Sequence, residues 1–413
     1  MLDFTKYLEE SWFGSKGKNL HITHLEDLVF DGVTNARNAI SFLQSLRDML
    51  AGHTSAPHLN LSSKYDGAPS LFAGINPENG KFFVGTKGVF NKNAKLNYTS
   101  SDIDQNHPGS GLNSKLKIAL RYLPELGIRG VVQGDMMFTN SDLKMEKLDG
   151  ESYITFQPNT IVYAIPANTT LAKQITNAKM GVVWHTEYYG SKLENMTATY
   201  NVSIGQFKPS RNVWFRDARL VDLAGTITFT IDQTKQVTDI LSRAGVLFQQ
   251  ISSRTFNEIN ENQTYKTLIM TYNNSKVREG EKITNTGLHV SGMIKWIDSK
   301  YNESILAAKK EDTKKKRTTE KNTVIRFFKS NSIQLRMIFD LQNLIVEAKT
   351  LILNKLDQTK QAAGTFTRDE NGLKVTKPEG FVVSDMINGN VVKLVDRLSF
   401  SHQNFNTTKD WAA

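Results

Sequence analysis

Along the 413-residue chain, apolar positions recur first at helical spacing, then at strand spacing, then at helical spacing again. Up to about residue 55, HITHLEDLVFDG and NARNAISFLQSLRDMLAG place apolar side chains three and four apart and stop at Gly52, which predicts helices. Thr23 and Glu26 stand at the spacing of a capping box ahead of the first. From His58 to about Tyr189 the period shortens. Strands are expected at HLNLSSKY, PSLFAGI and KFFVGTKG, with NPENG turning a hairpin between the last two. A helix SKLKIALRYLPEL, an apolar strand RGVVQGDMMFT, a strand NTIVYAI, a helix TLAKQITNA and a strand MGVVWHTEYY follow. Beyond residue 190 the pattern becomes helical, with TKQVTDILSRAGVLFQQI and a stretch from Gly292 to Leu356 nearly free of Gly and Pro. In SIQLRMIFDLQNLIVEAKTLILNKL, ten residues from Ile333 and Met337 through Leu351, Ile352 and Leu356 share one broad face. The last forty residues return to strands, two of them about the turn Asn388-Gly389, before a short helix.

Antiparallel strands with occasional helices predict an α+β fold, because the regular strand-helix alternation of a parallel sheet is missing. A sheet that starts before residue 60 and resumes after 370 implies one domain interrupted by a helical insertion whose ends lie close together. The expected units are an N-terminal helical segment over 1–55 packing on the main domain, a sheet domain over 56–190 plus 371–413, and a mostly α-helical insertion over 191–370.

Composition narrows the chemistry. There is no cysteine, which excludes disulfides, thiol catalysis and thiolate zinc sites and fits a reducing, cytoplasmic compartment. No apolar run is long enough to span a bilayer, and MLDFTKYLEE lacks the form of a signal peptide. A formal charge of +10 suits a polyanionic partner, nucleic acid being the commonest, and suits a solvated basic surface equally well. Between Lys309 and Lys329 nine Lys or Arg face three acids, either a solvated helix, a disordered connector or a grip on phosphates. His21, His24, Glu26 and Asp27 have metal-ligand character, though such a cluster is more often a cap and a solvated face.

The stretch LSSKYDGAPS holds the sharpest candidate. An apolar run stops at Lys64, and Asp66 and Gly67 follow. A lysine amine is a nucleophile only when unprotonated, which a partly desolvated pocket near other cations favours. Gly67 lets the chain turn or a ligand approach the backbone. By composition alone K-x-D-G arises in roughly one chain of this length in ten, and it also reads as a turn.

Further segments stand in a fixed order after it: Thr86-Lys87-Gly88, Gln133-Gly134-Asp135, the aromatic strand about Trp184, PEGFVV at 378–383 and VVKLV at 391–395. Together with KYDG they resemble the covalent nucleotidyltransferase superfamily of ATP-dependent RNA and DNA ligases and mRNA capping enzymes, and in overall cast the ligase-like proteins of large tailed phages. The resemblance covers roughly 58–190 and 373–405. It implies an antiparallel-sheet nucleotidyltransferase domain of ATP-grasp-like ligase type, working with ATP and Mg2+ on RNA or DNA ends in the cytoplasm, RNA ahead of DNA. Lys64 would be the nucleophile, with Asp66 and Lys393 also catalytic. Gly67, Lys87, Asp135, Trp184, Glu379 and Lys393 would contact the nucleotide, and Glu379 and Asp135 the metal. Lys393 would lower the pKa of Lys64 and neutralise developing phosphate charge; Trp184, or second to it Tyr163, would stack on the base.

The chain departs from the pattern at several points. Pro69, with Ser70 behind it, stands where DNA ligases carry an arginine, Asp135 replaces a glutamate, and Lys87 replaces an arginine. Val395 replaces the second lysine of K-x-K, with Arg397 as the nearest substitute. No segment remains for the usual oligonucleotide-binding barrel, so the insertion, together with Arg211, Trp214, Phe215, Arg216 and Arg219, would take that role. Two other functions stay open: a ligase-like binding or virion-associated protein without catalysis, and a nucleotidyltransferase acting on a target other than nucleic acid.

Overall fold

The computed structural model describes residues 23–52, 59–91, 93–148, 150–199, 202–218, 228–358, 364–369, 372–375, 379–385 and 391–398. The chain is α+β. Strand β1 (Thr23–His24) runs through a 3-10 turn, Leu25–Phe30, into α1 (Gly32–Leu50). Then come β2 (Leu59–Lys64), β3 (Ser70–Ile75), β4 (Phe82–Gly85), α2 (Ser100–Asn106), α3 (Ser110–Tyr122) and β5 (Val131–Thr139). A meander of β6 (Lys144–Leu148), β7 (Glu151–Phe156) and β8 (Val162–Pro166) precedes α4 (Thr170–Asn177), β9 (Met180–Tyr189), β10 (Thr197–Thr199) and β11 (Val213–Asp217). The helical block is α5 (Ile231–Gln250), α6 (Ser253–Glu261), α7 (Gln263–Arg278), α8 (Thr286–Ala307), α9 (Glu311–Ser330) and α10 (Ser332–Leu356). Strands β12 (Gly364–Asp369), β13 (Gly372–Val375), β14 (Gly380–Asp385) and β15 (Val391–Leu394) close the described chain.

The strands form three sheets. The first runs β1-β15-β14-β2, the central one β10-β9-β5-β3-β4 with β11 added beside β9, and the third β13-β12-β8-β7-β6. Pairing is antiparallel except for β1 on β15 and β11 on β9. Two of the three sheets therefore join strands from before residue 190 to strands from beyond 360. Strands β10 and β11 still belong to the central sheet, so the stretch that is helical throughout begins at Ile231.

The first sheet has an apolar and a polar face, as alternation requires. Leu61, Phe381, Val383, Val392 and Leu394 join one core with α1 and α5 to α10, including Leu43, Leu241, Phe339 and Ile345. The helical block is thus bonded to the sheet by a common apolar interior. Its helices start where the local chemistry dictates: Thr230 and Gln233 form a reciprocal capping box on α5, and Asn262 and Asn285 cap α7 and α8.

Several expectations change. Thr23 caps no helix; Thr23–His24 is a strand, and Glu26 turns inward to an ion pair with Lys349. On α10, Ile333 is 73% exposed, whereas Gln342 and Lys349 lie buried on the apolar face. The basic run is helix α9, held to its neighbours by Val324 and Phe328. Strands β6, β7, β10, β12 and β13 come from largely polar segments with no strong alternation and take their conformation from pairing, and the short apolar start of β11 does so beside β9. Asn388-Gly389, His21, Arg219 and the expected C-terminal helix lie outside the described residues. Among the described residues no helix is long and apolar enough to cross a membrane.

Candidate nucleotide-binding site

Lys64 is the last residue of β2, where the chain leaves the first sheet for the central one. Its rung partner on β14 is Gly380, the residue after Glu379. Across the same sheet Ser62 pairs with Val382, Val382 with Lys393, and Lys393 with His24. Residues on one rung project to one face, and Lys64 lies two residues beyond Ser62. Lys64, Lys393 and His24 therefore share the face opposite the helical core. Gly380 has a φ of 139°, and a Cβ there would fall 2.3 Å from the Leu394 carbonyl oxygen. Only glycine fits between β14 and β15 at this point.

Residues 65–69 then cross onto β5. The Ala68 amide donates to the Met136 carbonyl at 2.9 Å, and the Met136 amide donates to the Pro69 carbonyl at 3.0 Å. Gly67 is pressed against this strand: a Cβ on it would stand 2.5 Å from the Asp135 Cβ. The glycine of K-Y-D-G is thus required by close approach. Asp135 pairs with Ser70 on β3 and Val183 on β9, and it acts electrostatically on Lys64, Glu379 and Lys393. Residues of β2, β5 and β15 and the one before β14 thus meet in one charged cluster.

Asp66, expected to be catalytic, acts electrostatically on Lys64 and Glu379 and is itself held by a dense set of hydrogen bonds. It is buried, and its carboxylate accepts from Asn159 Nδ2 at 2.7 Å and from the amides of Thr160 at 2.6 Å and Ile161 at 2.7 Å. Its own amide donates to the Tyr163 hydroxyl at 2.8 Å. It fastens the loop after Lys64 to the turn before β8.

The charges in the cluster are ordered. Lys64 Nζ donates to Glu379 Oε1 in a direct ion pair. Burial, the largest single influence, would lower the Lys64 pKa, but the Glu379 carboxylate together with the charges of Asp135 and Asp66 outweighs it, and the pKa is raised above the ordinary lysine value. Lys393 shows the opposite balance: burial, then the Lys64 charge, bring it down to about 8. The expected direction is therefore reversed, with Lys393 as the depressed amine and Lys64 as the paired one.

Glu379 is buried, and its Oε2 has no hydrogen-bond partner among the described residues. Such an atom is costly unless something binds it. With Asp135 it offers two hard oxygen donors, one on β5 and the other just before β14. No three His, Asp or Glu side chains converge to hold a metal among the described residues. A divalent ion here would need phosphate oxygens and water to complete its shell, which is the habit of magnesium.

Three expected contacts fall elsewhere. Trp184 is fully buried, its ring packed on Gly134 and edge-on to Phe207 in the core under α3, so it presents no face to a base. Tyr163 is buried too, stacked on Phe156 and bonded to the loop at Asp66. Arg397 donates to both oxygens of Asp27 at 2.9 and 3.1 Å and to Asn274 Oδ1 at 2.5 Å, so it is no substitute phosphate ligand, and the Val395 side chain is buried among apolar groups. Lys87 lies exposed on a short turn after β4.

A family model described as a family of unknown function (DUF6267) matches residues 19–409. The chain belongs to this family. No curated protein and no solved structure matches it. The match spans the sheets and the helical block alike, so both are part of what defines DUF6267.

Sequence reasoning missed polar and aromatic groups on the Asp135 side of the central sheet in this DUF6267 chain. A register shift between Gln133 and Gly134 leaves His185 out of the ladder, with Nε2 3.6 Å from Asp135 Oδ2 and Nδ1 2.7 Å from Thr186 Oγ1. Phe72, Phe90 and Tyr188 cluster on the Asp135 side of the central sheet, with centroids 4.9 to 5.7 Å apart. Tyr188 donates to Gln133 Oε1 at 2.6 Å, and Gln133 Nε2 to Ser70 Oγ at 3.0 Å. Because MGVVWHTEYY is apolar on both faces, its pattern does not say which aromatic side chain faces the site. Beneath the first sheet, Lys349 on α10 donates to Glu26 Oε2 at 2.7 Å and to the Val395 carbonyl at 2.9 Å. This buried pair and Asp27–Arg397 lock the helical block to the end of β15, two residues from Lys393.

Proposed function

We propose that this protein is an ATP-dependent nucleotidyltransferase of the polynucleotide-ligase kind, RNA ahead of DNA, that forms a covalent lysyl-nucleotide at Lys64. One observation supports this above the others: Lys64 is paired with Glu379 at the junction of two sheets, with Lys393 and Asp135 close enough to act on the same charges. These are four residues of the motif series, from strands far apart in the chain.

The chemistry follows from the groups. Lys64 Nζ would attack the α-phosphorus of a nucleotide, forming a P–N bond while the bond to the bridging oxygen breaks and pyrophosphate leaves with the electron pair. Lys64 first has to give up a proton that its pairing with Glu379 retains. Glu379 and Asp135 would hold a magnesium ion, which would neutralise phosphate charge and compete with Lys64 for the Glu379 carboxylate. Lys393 supplies positive charge at the same face. Phe90, half-buried against Phe72 and Tyr188, would offer the base a flat apolar neighbour in place of Trp184. Attack by a 5′-phosphate oxygen would then break the P–N bond, and a 3′-hydroxyl would displace the nucleotide monophosphate.

Helix α9 supports a polyanionic second substrate. Lys315, Lys316, Arg326 and Lys329 are exposed and make no ion pair among the described residues, whereas Lys314 and Lys321 pair with Glu311 and Asp298.

Incubation with α-labelled ATP and magnesium is expected to yield an acid-labile adduct on the wild type and none on Lys64→Ala. Absence of an adduct with all four nucleoside triphosphates would overturn the proposal. Adduct formation without sealing of any nicked or broken strand would direct the transfer to another target.

A further inference from the structure

The polar face of the first sheet carries a group that the motif series does not assign. His24 on β1 is the rung partner of Lys393, so the imidazole and the ammonium leave the sheet side by side. Its Nδ1 is buried without a hydrogen-bond partner, while the residue as a whole keeps intermediate exposure. Burial and the charges of Arg397, Lys349, Lys393 and Lys64 hold the ring neutral, well below the usual histidine pKa. Two of those cations are already neutralised locally, Arg397 by Asp27 and Lys349 by Glu26, and Lys64 is paired with Glu379. Lys393 makes no hydrogen bond or ion pair among the described residues, and burial brings its pKa down to about 8. An imidazole with a buried, unpartnered nitrogen beside a half-buried lysine that has no partner among the described residues is an arrangement that an anion relieves, since it brings acceptors to both and offsets their repulsion.

Apart from Lys64 itself, which is paired with Glu379, the motif series supplies no second cation beside Lys393 among the described residues. The position two residues after Lys393 is Val395, buried among apolar side chains, and Arg397 is engaged below the sheet. We propose that His24, delivered by the added parallel strand β1, is the second phosphate-contacting group of this site and with Lys393 brackets the phosphates of the bound nucleotide. The arriving negative charge draws a proton onto the imidazole, which then donates a charge-assisted hydrogen bond. This rests on the nucleotidyltransferase reading of Lys64 and names where that site takes its phosphate contacts.

The test follows ring nitrogens by NMR in protein labelled at its eight histidines, with His24 assigned by its absence in His24→Asn. Titrating with ATP and magnesium, and separately with inorganic pyrophosphate, is expected to move the His24 signals from the neutral towards the imidazolium pattern, with smaller changes at the exposed histidines. Nucleotide affinity of His24→Ala is expected to fall by about tenfold, in the range of a charge-assisted hydrogen bond. Wild-type protein that binds ATP or forms the Lys64 adduct with its His24 signals unmoved would overturn this inference and leave the nucleotidyltransferase reading standing. So would His24→Ala binding ATP as tightly as wild type. Wild-type protein that neither binds ATP nor forms an adduct would remove both.

Discussion

The ion pair between Lys349 and Glu26 allows a quantitative test of how the helical block is joined to the sheet. Both side chains are nearly sealed from solvent, at 2% and 3% exposure, with 2.7 Å between Nζ and Oε2. At an effective dielectric near 20 their attraction is roughly 6 kcal/mol. Desolvating each ion costs several kcal/mol, so the intact pair contributes little net stability relative to an apolar replacement. Removing one partner is another matter. Lys349→Met leaves the Glu26 carboxylate buried and uncompensated, for an expected loss of about 3–5 kcal/mol, and Glu26→Gln strands the ammonium for a similar loss. The double variant should lose much less than the sum, retaining chiefly the unmade bond to the Val395 carbonyl, about 1–3 kcal/mol. The measurement is a double-mutant cycle by urea unfolding, followed by both circular dichroism and tryptophan fluorescence so that a single transition is verified. Single losses that add to within about 0.5 kcal/mol would show that the two groups are not coupled and would refute the reasoning.

Gly67→Ala forces a methyl against the Asp135 Cβ, and an overpacking cost of about 1–3 kcal/mol is expected together with slower adduct formation, read by thermal unfolding and by label incorporation; wild-type behaviour in both would contradict the contact. Lys393, depressed to about 8 in the folded chain, gives a stability gain that is complete above the ordinary lysine value near 10.5 and lost as pH falls through 8. Unfolding free energy of wild type should therefore rise more steeply with pH across that window than that of Lys393→Met, by at most about 1.4 kcal/mol per pH unit; equal slopes would refute the depressed pKa. Replacing Lys315, Lys316, Arg326 and Lys329 by Ala is expected to reduce the log-log salt slope of single-stranded nucleic-acid binding by up to about 3, at about 0.7 per contact. An unchanged slope would place the polyanion elsewhere.

The elements that carry Lys64, Asp135, Trp184 and Lys393 were legible because short runs rich in apolar and β-branched residues between turn signals mark strands. Strands β6, β7, β10, β12 and β13 were not, since polar segments acquire extended structure only from the neighbour they pair with. Lys349 illustrates the same limit in a helix. Its position on an apolar stripe is visible in the sequence, but nothing there announces that Glu26, more than three hundred residues away, makes burial tolerable.

Taken alone, the order of residues determined the α+β class, the turn at Gly52, the glycine after Asp66 and the candidacy of Lys64. Each depends on neighbours a few positions away, where periodicity and backbone sterics act. Tertiary structure decided which charges meet. It paired Lys64 with Glu379, turned Trp184 into the core, engaged Arg397 with Asp27, and set His24 beside Lys393. A pKa, a burial and a strand register are sums over atoms that folding brings together from distant parts of the chain, and no local pattern contains them.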